Sequence, residues 1–125
     1  MKKYVLFIGR WQPFHNGHAH IIDQVLAKRK SVLIAVRDTP TCYTDPFSLL
    51  DRIRMIRDHY RGQDVCVIPI PDIESVSVGR QVGYEVHRPF DDVGGSKIRQ
   101  MMADGDEWRE FVPEKIAEYI DALVA

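Results

Sequence analysis

Cysteine is nearly absent from this chain. Cys42 and Cys66 are the only two, and no Cys-x-x-Cys pair occurs. That excludes a disulfide framework and a dithiol or zinc-ribbon motif. No apolar run approaches the roughly 20 residues of a membrane span. The N-terminal apolar run is only five residues long, without a signal-peptide pattern. A cytoplasmic, reduced protein away from membranes is the expectation. There are no repeats, linkers or low-complexity segments, so residues 1–125 read as one domain. No basic stripe with interleaved aromatics exists, which argues against nucleic acid as a partner.

An excess of charge of either sign is also missing, since the net charge is −1. The halves differ, however. Residues 1–62 carry 11 Lys/Arg against 5 Asp/Glu, and residues 63–125 carry 6 against 13. The halves attract each other within one fold, and the basic half suits a phosphorylated small molecule.

What is present centres on Gly9-Arg10-Trp11-Gln12-Pro13-Phe14-His15-Asn16-Gly17-His18. Before it, Tyr4 to Ile8 is apolar and reads, with Lys2 and Lys3, as a strand. After it, Ile21, Ile22, Val25 and Leu26 mark one face of a helix over about His18 to Lys28. The stretch is thus a strand–loop–helix joint. A helix N-terminus offers backbone N–H groups to anions. Two imidazoles and a guanidinium beside it add charged and neutral donors. A zinc reading of His15, His18 and His20 lacks a carboxylate or Cys at ligand spacing, and His20 falls inside the helix.

Val32 to Val36 is a second buried strand, and β–α–β in about thirty residues predicts parallel pairing. Residues 37–46 then form a loop beyond its carboxyl end, where open α/β sheets bind ligands. Arg37, Asp38, Thr39 and Thr41 are candidate contacts there, with turn chemistry the plainer account of Asp38 and Thr41. Ser48 and Asp51 resemble a capping box opening a second helix that Gly62 ends. Val65 to Ile70 is a third strand. Ser75–Val78 and Tyr84–His87 both have strand character, as one strand or as an antiparallel pair. Gly94-Gly95-Ser96 leads into a helix through Met102, with Ser96 as N-cap and Arg99 one turn on. A last helix follows Pro113, with Val112, Ile116, Ile120, Leu123 and Val124 apolar.

His15-Asn16-Gly17-His18 matches the His-x-Gly-His signature of the nucleotidyltransferase α/β phosphodiesterase superfamily. The fuller stretch from Gly9 to His18 closely resembles the first motif of archaeal-type and phage nicotinamide mononucleotide (NMN) adenylyltransferases. Gly95-Ser96-Lys97-Ile98-Arg99 resembles the superfamily's second signature. Asp45-Pro46-Phe47 with Asp51-Arg52 and Met55-Ile56 is similar to a further segment, with Asp45 for Asn and Asp51 for Glu. Pro71-Asp72-Ile73 and the Trp108…Val112-Pro113…Ile116 ending are similar too. After Asp72 the chain departs from the pattern. A stretch that in those enzymes helps form the nicotinamide pocket is missing.

The resemblance implies a Rossmann-like α/β open sheet, mostly parallel, of four to five strands with helices on both faces, shortened after the third strand. It implies transfer of AMP from ATP to a phosphorylated small molecule such as NMN, releasing pyrophosphate. Mg²⁺ would ride mainly on the nucleotide phosphates, with no protein metal site. His15, His18 and Arg99 would be catalytic. Phe7, Ile8, Gly9, Arg10, Gly17, Gly95 and Ser96 would join them in holding the nucleotide. Arg10, Trp11, Arg37 and Arg80 would meet the second substrate, with Trp11 and Phe14 equally readable as core. A cytidylyltransferase of the glycerol-3-phosphate type shares both signatures, but those enzymes typically begin Gly-Thr-Phe-Asp. A nucleotide-binding module without turnover is the alternative from another class. The shortened sheet leaves an edge that a second copy could cover, so a homo-oligomer is also an expectation.

Overall fold

A parallel three-stranded sheet, ordered β1-β2-β3, carries the molecule. The computed structural model describes residues 2–79, 83–88 and 93–124. The elements are β1 (Tyr4–Gly9), α1 (Asn16–Ala27), β2 (Ser31–Asp38), α2 (Leu49–His59), β3 (Val65–Pro71), α3 (Val93–Asp104), a 3₁₀ turn (Arg109–Phe111) and α4 (Glu114–Val124). No described helix is long and apolar enough to cross a membrane.

β2 is the central strand, and both its faces are covered. Val32, Ile34 and Val36 are fully buried, with Ala35 nearly so. A continuous apolar run is what burial on two faces requires. The register pairs Gly9 with Val36 and Val36 with Pro69. The segments leaving β1 and β2 therefore emerge side by side at one end of the sheet. Ile22 of α1, Met55 and Ile56 of α2, and Ile116 and Ile120 of α4 join the strand residues in one core. At about 25 cal/mol per Å² of apolar surface, such side chains each contribute about 2 kcal/mol.

α2 shows how local chemistry fixes the ends. Ser48 caps it by accepting the Asp51 N–H at 3.1 Å. The second half of the predicted capping box is absent, because the Asp51 carboxylate accepts from Tyr119 Oη of α4 instead. Gly62 ends the turn in the left-handed region, at φ +83°.

The expectation of four to five strands is corrected to three among the described residues. Ser75–Val78 and Tyr84–His87 run as unpaired chain. Val76, Val78, Tyr84 and Val86 are all at least half exposed. Alternation specifies a strand only where one face has a core to meet, and these valines meet none. Asp72 turns the chain away from β3 instead, its carboxylate accepting the Ile73 N–H at 2.9 Å.

Candidate active site

The joint between β1 and α1 is locked by its own side chains. Trp11 sits at φ +58°, a left-handed conformation costly for a bulky residue. It is held there by burial and by its indole N–H, which donates to Ala35 O of β2 at 3.0 Å. A Cβ on Gly9 would lie 2.9 Å from the indole, so only glycine leaves room for that ring. Gln12, also buried, pairs both ways with the Phe47 backbone. Its Nε2 donates to Phe47 O and its Oε1 accepts the Phe47 N–H, each at 3.0 Å.

His15 caps α1 with an extended backbone, so the helix begins two residues earlier than the sequence suggested. Its Nδ1 accepts the backbone N–H of Gly17 at 3.1 Å and of His18 at 3.4 Å. In return His18 Nδ1 accepts the His15 N–H at 3.3 Å. A backbone N–H can only donate, so both Nδ1 atoms must carry lone pairs. The proton of each neutral ring is then on Nε2. The rings stack, centroids 3.6 Å apart and 20° from parallel. Burial, with His15 alongside, pushes the His18 pKa down to about 3. His18 is therefore a neutral Nε2–H donor at physiological pH.

The N-terminus of α3 closes onto this joint. A Cβ on Gly94 would come within 3.2 Å of His15 Cε1 and Nε2, and one on Gly17 within 2.9 Å of the same ring. Arg99 donates through Nη1 to Gln12 O at 2.9 Å and through Nη2 to Ser96 Oγ at 3.2 Å. Two motifs some 80 residues apart thus meet, with imidazole, guanidinium, hydroxyl and helix N–H donors converging. Such a set binds phosphate groups and stabilises charge that builds on them.

The remaining expected residues fall as follows. Phe7 and Ile8 end β1, with the Phe7 side chain in the core. Gly95 is buried and Ser96 exposed in the first turns of α3. Because α3 begins at Val93, Ser96 lies inside the helix and is not its N-cap. Arg10 pairs with the largely buried Asp45 at 3.2 Å. Arg37 donates through Nε to Asp72 at 2.9 Å and through Nη2 to Ile73 O at 3.3 Å. Of the two readings of Trp11, the structure has the ring in the core, 3% exposed and edge-on to His18. Phe14 is likewise core. Arg80 lies outside the described residues.

Sequence reasoning assigned no role to Gln12 or Arg52. Arg52 is fully buried on α2, between Leu49 and Ile56 on its inner face. A charged residue at an apolar position of the helical period was the available signal. Gln12 carries none, because its partner Phe47 is distant in sequence.

The cytidylyltransferase-like family matches residues 6–120. A nicotinamide-nucleotide adenylyltransferase of Pyrobaculum neutrophilum is 33% identical, over 97% of this chain and 89% of its own. That of Methanothrix thermoacetophila is 28% identical, over 94% and 88%. These alignments run over 158 and 150 positions, longer than the 125 residues here, so each relative has a stretch without counterpart. A solved bifunctional NMN adenylyltransferase/ADP ribose pyrophosphatase from Francisella tularensis superposes with a TM-score of 0.63 at 22% identity, over 90% of this chain. This chain spans 45% of that protein, and the likeness shows the fold.

Proposed function

The chain belongs to the cytidylyltransferase-like family, and from that premise we propose that it is an adenylyltransferase that moves AMP from ATP to nicotinamide mononucleotide. A phosphate oxygen of the mononucleotide attacks the α-phosphorus of ATP. The new P–O bond forms as the bond to the β-phosphate bridging oxygen breaks, and pyrophosphate leaves with that electron pair. The nucleophile is already an anion, so no base and no covalent enzyme intermediate are needed. Catalysis is alignment of two anions and stabilisation of the charge between them.

The observation that carries this function is the closure of α3 on the histidine joint, with Gly94 against His15 and Arg99 on Gln12 O. His15 and His18 would donate from Nε2 to the phosphates around the reacting phosphorus. His18 is a neutral donor, so its phosphate contact does not wait on protonation. Ser96, Arg99 and the first N–H groups of α3 would hold the β- and γ-phosphates. The backbone from Phe7 to Gly9, with Gly17 and Gly95, would lie along the nucleotide. Arg37 would meet the phosphate of the second substrate, and Arg10 the triphosphate or that same phosphate, exchanging Asp72 and Asp45 for them. Among the described residues no three His, Cys, Asp or Glu side chains cluster to hold a metal. Mg²⁺ would enter as part of the nucleotide, carried by its phosphates and water. A cytoplasmic site of action fits these substrates.

The test is pyrophosphate release with Mg²⁺, pairing ATP and CTP with NMN and glycerol 3-phosphate. Release with ATP and NMN alone is expected. Release with CTP and glycerol 3-phosphate instead would overturn it. ATP binding without release from any pair would leave a nucleotide-binding module.

A further inference from the structure

Arg52 carries five N–H donors into the core. The residue has no exposed surface. Its Nε donates to Phe47 O at 3.1 Å and Ser48 O at 3.2 Å. Its Nη1 donates to Arg10 O at 2.7 Å and Arg37 O at 2.9 Å. Every partner is a backbone carbonyl. Nη2 has no acceptor among the described residues.

Stability alone is a poor account of such a group. Burying a charge costs several kcal/mol, and an apolar side chain of similar volume is commonly as stable or more so. A buried donor without an acceptor adds about 1–3 kcal/mol to the cost. What the guanidinium provides is geometry. Its rigid fork reaches three segments at once: the residue after β1, the end of β2 and the start of α2. Lysine, with one nitrogen, cannot span the same carbonyls.

The two carbonyls on Nη1 belong to Arg10 and Arg37. These residues directly follow the paired Gly9 and Val36 at the same end of the sheet. Their side chains pair with Asp45 and Asp72. Phe47 O also accepts from Gln12, whose own carbonyl accepts from Arg99. A continuous hydrogen-bonded chain therefore runs from Arg99 through Gln12 and Phe47 to Arg52, and on to the backbones of Arg10 and Arg37.

We propose that Arg52 is a positioning residue for the transfer reaction, fixing the backbones of Arg10 and Arg37 so that their guanidinium groups present to the substrate phosphates. The assignment rests on the adenylyltransferase function above. Arg52 touches no substrate; it acts through Arg10 and Arg37.

The experiment is a double-mutant cycle of Arg52→Lys with Arg10→Ala, and a second with Arg37→Ala. The readouts are kcat/KM for pyrophosphate release, ATP affinity by calorimetry and Tm. A displacement of up to 1 Å at either arginine predicts a loss of about 100-fold in kcat/KM for Arg52→Lys. In at least one cycle the double variant should fall no more than about threefold below the alanine variant alone, because the coupling partner is already gone. Arg52→Met is the second variant, expected to fold and to lose activity as Arg52→Lys does. Wild-type turnover in either folded variant would overturn the assignment. So would losses that multiply independently in both cycles, or failure of both variants to fold, which would make Arg52 a stability residue. If the wild type binds ATP but turns over no substrate pair, the adenylyltransferase function fails, and the Arg10 cycle read on ATP affinity still decides Arg52. Absence of ATP binding would end both.

Discussion

Gly94→Ala should separate stability from activity. Gly94 lies in the first turn of α3, where alanine is favoured over glycine by up to about 1 kcal/mol. Its new Cβ, however, would stand 3.2 Å from two atoms of the His15 ring. That is tighter than ordinary van der Waals contact, so the ring or the helix must give by a few tenths of an ångström. The ring cannot retreat freely, because Gly17 packs on it and its Nδ1 holds two backbone N–H groups. The helix gain and the contact cost are of similar size, so stability should stay within about 1 kcal/mol and Tm within about 4 °C of wild type. Catalysis is less forgiving. If 1 Å of misplacement costs about 100-fold, a few tenths should cost about 3- to 10-fold in kcat. Thermal melts and pyrophosphate release on the same preparations measure both. Wild-type kcat would show that the His15 ring does not need its position. A large fall in Tm would show that the contact cannot relax as described.

Three further outcomes follow from the same geometry. The depressed His18 pKa, about 3 when folded against 6.5 when unfolded, means the unfolded chain takes up the proton first as pH falls. His18 should therefore cost about 2 kcal/mol of stability between pH 7 and pH 5, read by urea unfolding, and His18→Asn should flatten that slope. Gly62→Ala places a Cβ in open space but at φ +83°, so it should cost about 1–2 kcal/mol in Tm analysis while leaving turnover unchanged. Gln12→Leu strands the Phe47 N–H and loosens Arg99, so a stability loss of about 1–3 kcal/mol, read by urea unfolding, should accompany slower turnover.

The sequence made the β1–α1–β2 unit legible because its signals are local: an apolar run, a glycine-bearing joint and a helical stripe. The two motifs, read in order along the chain, were expected at one site, and their segments meet where Gly94 faces His15 and Arg99 donates to Gln12 O. The sequence misjudged what depends on the rest of the fold. Trp11 looked available for stacking, yet Ala35 O on the next strand claims its N–H. Ser96 looked like a cap until α3 extended back to Val93. Val76, Val78, Tyr84 and Val86 alternate as strand residues do, but no core lies beneath them. Arg52 was visible as part of a family-like segment but without a role, because its four carbonyl partners come from three separate segments.

The most direct measurement is chromatographic quantitation of the dinucleotide and pyrophosphate formed from ATP and NMN, by wild type and His18→Ala. One dinucleotide per pyrophosphate from the wild type, with a loss of about 100- to 1,000-fold in His18→Ala, is predicted. Pyrophosphate without dinucleotide, or equal rates from the two proteins, would contradict adenylyl transfer at this site.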